Sequence, residues 1–286
     1  MGEQQFYDFV KEQIKEYIGE EDVTSRIETI YKNNNQSFQV LIIRRRREAI
    51  SPIIYLKEFY EKYESGEKIE DILCEIAMVF KEAREEMDGK DISVLAFEQW
   101  KDKLFFRLIN MELNDTLWEM TPFIPWHDLA LTVRLLVHES DGGISSILVT
   151  KKELEMWGVT WEEVVALAKE NTKRLFPAKI MKILNDKPIY LLTNESELNG
   201  ATAICYPKVL EDLGKSLQTS FYVLPSSIHE MLLLPDDGQQ DIGKLRNLIK
   251  NANNTVVREE EILSYQLYYW EKSTGRMKIV KKDSEF

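Results

Sequence analysis

LTVRLLVHESDGGISSILVTKKELEMWGVTWEEVVALAKEN, running from Leu131 to Asn171, decides the fold, because an earlier stretch follows the same plan. That stretch is FQVLIIRRRREAISPIIYLKEFYEKYESGEKIEDILCEIAMVF, from Phe38 to Phe80. With one small gap, Ile50-Ser51 aligns with Ile144-Ser145, Ile53-Ile54 with Ile147-Leu148, and Gly66 with Gly158. Beyond the glycine, Ile69, Ile72, Leu73 and Ile76 repeat the spacing of Trp161, Val164, Val165 and Ala168. Each copy reads as a β-hairpin followed by two short helices, and a shared apolar pattern predicts a shared packing unit. In the second copy Thr150 with Glu153, and Thr160 with Glu163, have capping-box spacing, so both helices start where the alignment needs them. The first copy lacks these threonines.

Working outward, Phe6, Phe9, Val10, Ile14, Tyr17 and Ile18 share a helical face, and Gly19 supplies a stop. Ile27 to Tyr31 alternates as a strand, and Asn33-Asn34-Asn35 predicts a turn because Asn tolerates positive φ. Helices are expected at Lys57–Tyr63 and Ile69–Met87, then Phe97–Leu104 as helix and Leu104–Ile109 as strand. Asn114 to Pro125, broken by Pro122 and Pro125, marks a lobe boundary. A looser third unit is expected as a hairpin of Ile189–Thr193 with Ala201–Tyr206, then a helix with Pro207 as its first residue. Strands Ser220–Leu224 and Ile228–Leu234 follow, with Asp241 capping a helix. A closing hairpin pairs Tyr265–Trp270 with Arg276–Val280. The expected fold is therefore α+β, repeated hairpin-helix units with mostly antiparallel sheets and helices packed on one face. Its organisation is a 1–120 lobe and a 121–286 lobe, or one compact body.

Composition bounds the function. The 286 residues are 44% hydrophobic and 30% charged, enough for a substantial core and close to ordinary globular usage. Against 37 basic side chains stand 49 acidic ones, and the net charge of -12 disfavours generic nucleic-acid binding and anionic lipid. No apolar run is long enough to span a membrane, and Met1 to Gly19 lacks the pattern of a signal peptide. Cys74 and Cys205 read as buried free thiols of a reducing compartment, so the cytoplasm is expected.

No complete catalytic constellation emerges. Arg44, Arg45, Arg46 and Arg47 form a charge run that would grip phosphate or a carboxylate-rich partner; on a hairpin arm it also reads as a solvated, protected edge. His127-Asp128 and His138-Glu139 lack the further ligands of a metal centre, so no metal is expected. In Leu224-Pro225-Ser226-Ser227-Ile228-His229-Glu230, Ser227 and His229 share a face of an extended chain, as a nucleophile and its base would. The glycines of a nucleophile elbow are missing, and a turn satisfied by serine hydroxyls is the competing reading. The 12 glycines are scattered and form no phosphate-binding loop, so no cofactor is expected. Trp157 and Trp161 read as core anchors.

Several phrases, in order, resemble a known family: Tyr31-Lys32-Asn33-Asn34, Ser51-Pro52-Ile53-Ile54-Tyr55-Leu56, Arg107-Leu108-Ile109-Asn110, His127-Asp128-Leu129-Ala130, Glu170-Asn171-Thr172 and Tyr222 through Glu230. The family is an uncharacterised domain-of-unknown-function family of clostridial gut bacteria, sometimes carried on mobile elements. The resemblance spans nearly the whole chain and implies a bacterial, cytoplasmic origin, with no activity to carry over. Leu131 to Pro235 is also similar to a smaller uncharacterised family of Bacillus-type bacteria. The leading expectation is a non-enzymatic interaction or regulatory protein with a protein partner. The alternative is a hydrolase using Ser227 and His229 with His127 or Asp128.

Overall fold

The structure, a computed structural model, describes residues 1–20, 22–45, 51–87, 96–140, 143–184 and 188–281. It is α+β, and its strands pair antiparallel throughout the described sheets. Two compact units divide the chain: residues 1–32 with 36–95, and residues 33–35 with 96–286.

The first unit runs α1 (Glu3–Ile18), β1 (Val23–Tyr31), β2 (Ser37–Arg45), β3 (Ile53–Tyr55), α2 (Lys57–Glu64) and α3 (Ile69–Met87). Its sheet has the order β1-β2-β3. Ile27 faces Leu41, and Leu41 faces Ile54, so one pleated face is apolar. That face shares a core with Phe6, Val10 and Ile14 of α1 and Ile72, Ile76 and Phe80 of α3, all fully buried. Gly19 ends α1 in the left-handed region, as its position predicts. Cys74 corrects the expectation of buried thiols: it is exposed on α3, because its neighbours Leu73 and Ile76 take the inward positions.

The second unit begins with α4 (Phe97–Trp100), followed by β4 (Leu104–Asn110), β5 (Ile124–Trp126), β6 (Leu129–Ser140), β7 (Gly143–Leu148), α5 (Lys151–Trp157) and α6 (Trp161–Leu175). It continues with β8 (Ala178–Lys182), β9 (Tyr190–Asn194), α7 (Val209–Leu217), β10 (Phe221–Ser227), β11 (Glu230–Pro235), α8 (Ile242–Thr255), β12 (Tyr268–Glu271) and β13 (Arg276–Ile279). One sheet has the order β4-β6-β5 with β7 also on β6; the other has the order β13-β12-β10-β11-β9-β8. Both capping boxes form: the Thr150 and Thr160 hydroxyls accept from early helix N–H groups, and Glu153 and Glu163 reach back to the threonine N–H. The order of hairpin, short helix, positive-φ glycine and longer helix occurs at β2–α3 and at β6–α6, with Gly66 and Gly158 as the glycines.

Two expectations fail in this unit. Ala201–Tyr206 is not the second arm of a hairpin: Gly200–Cys205 winds as a 3₁₀ turn, and β9 pairs instead with β8 and β11. Both edges of β9 are already taken by β8 and β11, so no ladder is open to Ala201–Tyr206. The turn packs closely on them at a position only glycine fits: at Gly200 a Cβ would lie 2.5 Å from the His229 carbonyl oxygen and 2.7 Å from the Asn194 nitrogen. Pro207 also stands outside the helix it was expected to open; Lys208 takes a left-handed conformation and α7 begins at Val209.

β4 lies at the edge of its sheet, yet its outward N–H groups are not left open. Phe106 donates to Thr172 Oγ1 at 2.8 Å and Leu108 to Thr202 Oγ1 at 3.0 Å. Hydroxyls from α6 and from the 3₁₀ turn thus complete the ladder, which fixes β4 and its side chains.

Candidate functional site

The turn joining β10 to β11 carries the serine and histidine singled out above. A register shift after Pro225 lets Ser227 face Glu230 and leaves Ile228-His229 at the tip. Ser227 Oγ accepts the His229 backbone N–H at 3.0 Å, a local serine turn. The tip is tied down from both sides. Ile228 donates its N–H to the Glu261 carbonyl at 2.9 Å, and its own carbonyl accepts from Ala201 N–H at 3.2 Å. The His229 carbonyl accepts from Thr193 Oγ1 at 2.8 Å.

The imidazole is equally committed. Nδ1 accepts the Asn199 backbone N–H at 3.1 Å, with Asn199 held in the left-handed region. A nitrogen that accepts carries no hydrogen, so in the neutral ring the proton resides on Nε2. That nitrogen faces Glu261 Oε1 at 3.5 Å. Burial holds the imidazole below its usual value, with Arg107 acting in the same direction and Glu261 opposing. His229 is therefore neutral near pH 7, with Nε2–H turned toward a carboxylate.

Glu261 comes from a 3₁₀ turn, Glu259–Glu261, that is clamped by buried asparagines. Asn34 Nδ2 donates to the carbonyls of Glu259 at 2.7 Å and Ile262 at 2.8 Å, and Asn110 Nδ2 donates to that of Leu263 at 2.9 Å. Asn114 ties these together, donating to Asn34 Oδ1 at 2.9 Å and to the Asn110 carbonyl at 2.8 Å. Buried amides satisfied in this way specify one position for the turn.

The other expected site residues lie apart in role. His127-Asp128 is the two-residue turn of the β5–β6 hairpin, with His127 at φ 57°. The Asp128 carboxylate accepts from Tyr268 at 2.5 Å and Ser264 at 2.6 Å, and burial beside this carboxylate pushes the Tyr268 phenol far up. The histidine that Glu261 faces is His229. Arg45 forms a two-point pair with Glu20, at 2.5 Å for each contact, and Arg84 joins at 3.4 Å. Arg44 is exposed at the end of β2, while Arg46 and Arg47 lie outside the described residues. Among the described residues no group of three His, Cys, Asp or Glu side chains is arranged to hold a metal. Trp157 and Trp161 are half-buried rather than sealed in a core, and Trp157 packs against Phe97 with ring centroids 5.7 Å apart.

Three members of the site were missed from sequence: Asn199, Glu261 and Arg107. Arg107 had a signal, as the one charge inside the apolar run Leu104–Asn110. Asn199 and Glu261 had none, since the contacts that place them cross long stretches of chain.

The model of a family described as "Family of unknown function (DUF5688)" matches residues 3–186 and 181–272, together nearly the whole chain. This protein belongs to that family. No curated protein and no solved structure matches it. Among the described residues no helix is long and apolar enough to cross a membrane.

Proposed function

We propose that this protein is a non-enzymatic cytoplasmic interaction or regulatory protein. The observation that carries the reading is the state of His229. A base for Ser227 needs a ring nitrogen with a free lone pair aimed at the hydroxyl. Here the lone pair of Nδ1 is taken by Asn199 N–H, Nε2 faces Glu261, and the Ser227 hydroxyl oxygen is engaged by a backbone amide. The three groups hold a turn together. The net charge of -12 supports a partner with a basic surface, drawn in by long-range attraction that falls with salt. Both cysteines are free thiols, as a reducing compartment favours.

The test is hydrolysis of an activated ester and of a generic peptide substrate by the parent and by Ser227→Ala. Equal rates are expected for the two proteins. A rate that depends on the serine hydroxyl would overturn the reading in favour of a hydrolase.

A further inference from the structure

Two arginines stand on one face of the β4–β6 ribbon. Phe105 of β4 pairs with Arg134 of β6, and Arg107 lies two residues beyond Phe105 on the same strand. Side chains two apart share a face, so Arg107 and Arg134 are diagonal neighbours, with Cα atoms about 7–8 Å apart. Below them, Phe105 and Leu136 pack against Phe176 at the end of α6, closing that end of the face with apolar rings.

Charge is not balanced here. Arg134 donates from Nε to Ser146 Oγ at 2.8 Å and from Nη2 to the Ser146 carbonyl at 3.0 Å, both neutral acceptors. Arg107 Nε is sealed from solvent and meets no acceptor. Among the described residues no carboxylate lies within ion-pair distance of either guanidinium; Glu261 acts on Arg107 only across a gap. Burial pushes the two guanidiniums down to about 10 for Arg107 and about 9 for Arg134, where Arg107 adds its own repulsion. Both remain charged at neutral pH. With His229 neutral, two positive charges face one negative charge, leaving one positive charge unmatched.

Both side chains are half-buried, and charges withdrawn from water ordinarily persist only when paired, because desolvation of an ion costs on the order of several kcal/mol. A protein that keeps two adjacent guanidiniums in this state holds a place for an anion. The planar fork of arginine matches the two oxygens of a carboxylate, and a single negative charge closes the local balance. A phosphate dianion would add a second negative charge beside Glu261, which already acts on Arg107.

We propose that Arg107 and Arg134 form a binding site for a carboxylate monoanion, bridged on the β4–β6 face between the Arg107 guanidinium and the Nη hydrogens of Arg134 that Ser146 does not engage. The site stands whether or not Ser227 and His229 support any turnover. A small organic acid and the C-terminus of a peptide share this chemistry.

The experiment is calorimetric titration of the full chain at fixed ionic strength. The probes are acetate, benzoate, inorganic phosphate, and N-acetyl-Ala-Ala as free acid and as amide. Saturable binding of a carboxylate probe is expected, weakened about tenfold or more in Arg107→Met and in Arg134→Lys, which keeps the charge but loses the fork. Binding of the peptide acid but not its amide assigns the source to a chain terminus; binding of acetate or benzoate alone assigns it to a small acid. Preference for phosphate, or no saturable binding of any carboxylate, overturns the proposal. Thermal unfolding of ligand-free Arg107→Met gives a second reading. An unfolding midpoint equal to or above the parent's is expected, since an unmatched charge has been removed. A clear drop would make Arg107 a structural residue and overturn the proposal.

Discussion

Replacing Gly200 with alanine tests how the His229 turn is held. The added Cβ would sit 2.5 Å from the His229 carbonyl oxygen and 2.7 Å from Asn194 N, and closer still to Thr193 Oγ1. Two of these three atoms are backbone, so the strain is not relieved by a rotamer change alone. The 3₁₀ turn must move away from β9 and from the β10–β11 tip, which breaks the 2.8 Å bond from Thr193 Oγ1 to the His229 carbonyl. Overpacking of a tight site costs about 1–3 kcal/mol, and loss of one hydrogen bond adds about 0.5–1.5 kcal/mol. Against this, alanine restricts the unfolded chain and recovers about 0.4–1 kcal/mol. The net expectation is a loss of about 0.5–4 kcal/mol, centred on about 2 kcal/mol. All six tryptophans lie between Trp100 and Trp270, within the second unit, so tryptophan fluorescence during urea unfolding reads that unit selectively. The transition midpoint should fall with its slope unchanged. A loss below about 0.5 kcal/mol would show that the close approach at Gly200 yields at little cost and that the turn is not held there.

Other outcomes follow from the same structure. His229 is held below its usual value, so between that depressed value and about 6.5 the unfolded chain takes up a proton that the fold does not. Stability of the second unit should therefore fall as pH drops through about 6.5, and His229→Gln should flatten that part of a pH series of urea midpoints. Thr160→Ala removes the hydroxyl that caps α6 and should cost about 1 kcal/mol in the same fluorescence assay. In the first unit, the hydrogen bonds from Arg45 hold the Glu20 carboxyl below its usual range, so its contribution is present at neutral pH and lost as pH falls through the folded value. Glu20→Gln should destabilise β2 by about 0.5–1 kcal/mol, read as faster hydrogen exchange of its amides at pH 7 but not at low pH.

Local punctuation was the legible part of the fold. Gly19, the threonine boxes at Thr150 and Thr160, and the cap at Asp241 each act through contacts within a few residues, so their spacing alone places α1, α5, α6 and α8. The limits of α3, Ile69–Met87, likewise follow from an uninterrupted apolar stripe. Ala201–Tyr206 suits a strand by its residues, and what decides otherwise is long-range: β9 is paired on both edges by β8 and β11. β8, at Ala178–Lys182, is a short edge strand defined by its pairing to β9 more than by its own pattern. At the site, the proximity of Ser227 to His229 could be seen in sequence, but not which groups engage them. Asn199 and Glu261 reach the imidazole from separate segments, so the contacts that hold the turn cross long stretches of chain.

Nitrogen-15 NMR of the His229 ring, recorded near pH 7.5 in the parent and in Ser227→Ala, reads the state of the imidazole itself. The ring is expected to be neutral and protonated on Nε2, with Nδ1 unprotonated and both resonances little changed by loss of the serine hydroxyl. A hydrogen on Nδ1, with an Nε2 resonance that moves when Ser227 is removed, would instead show the histidine poised as a base for the serine.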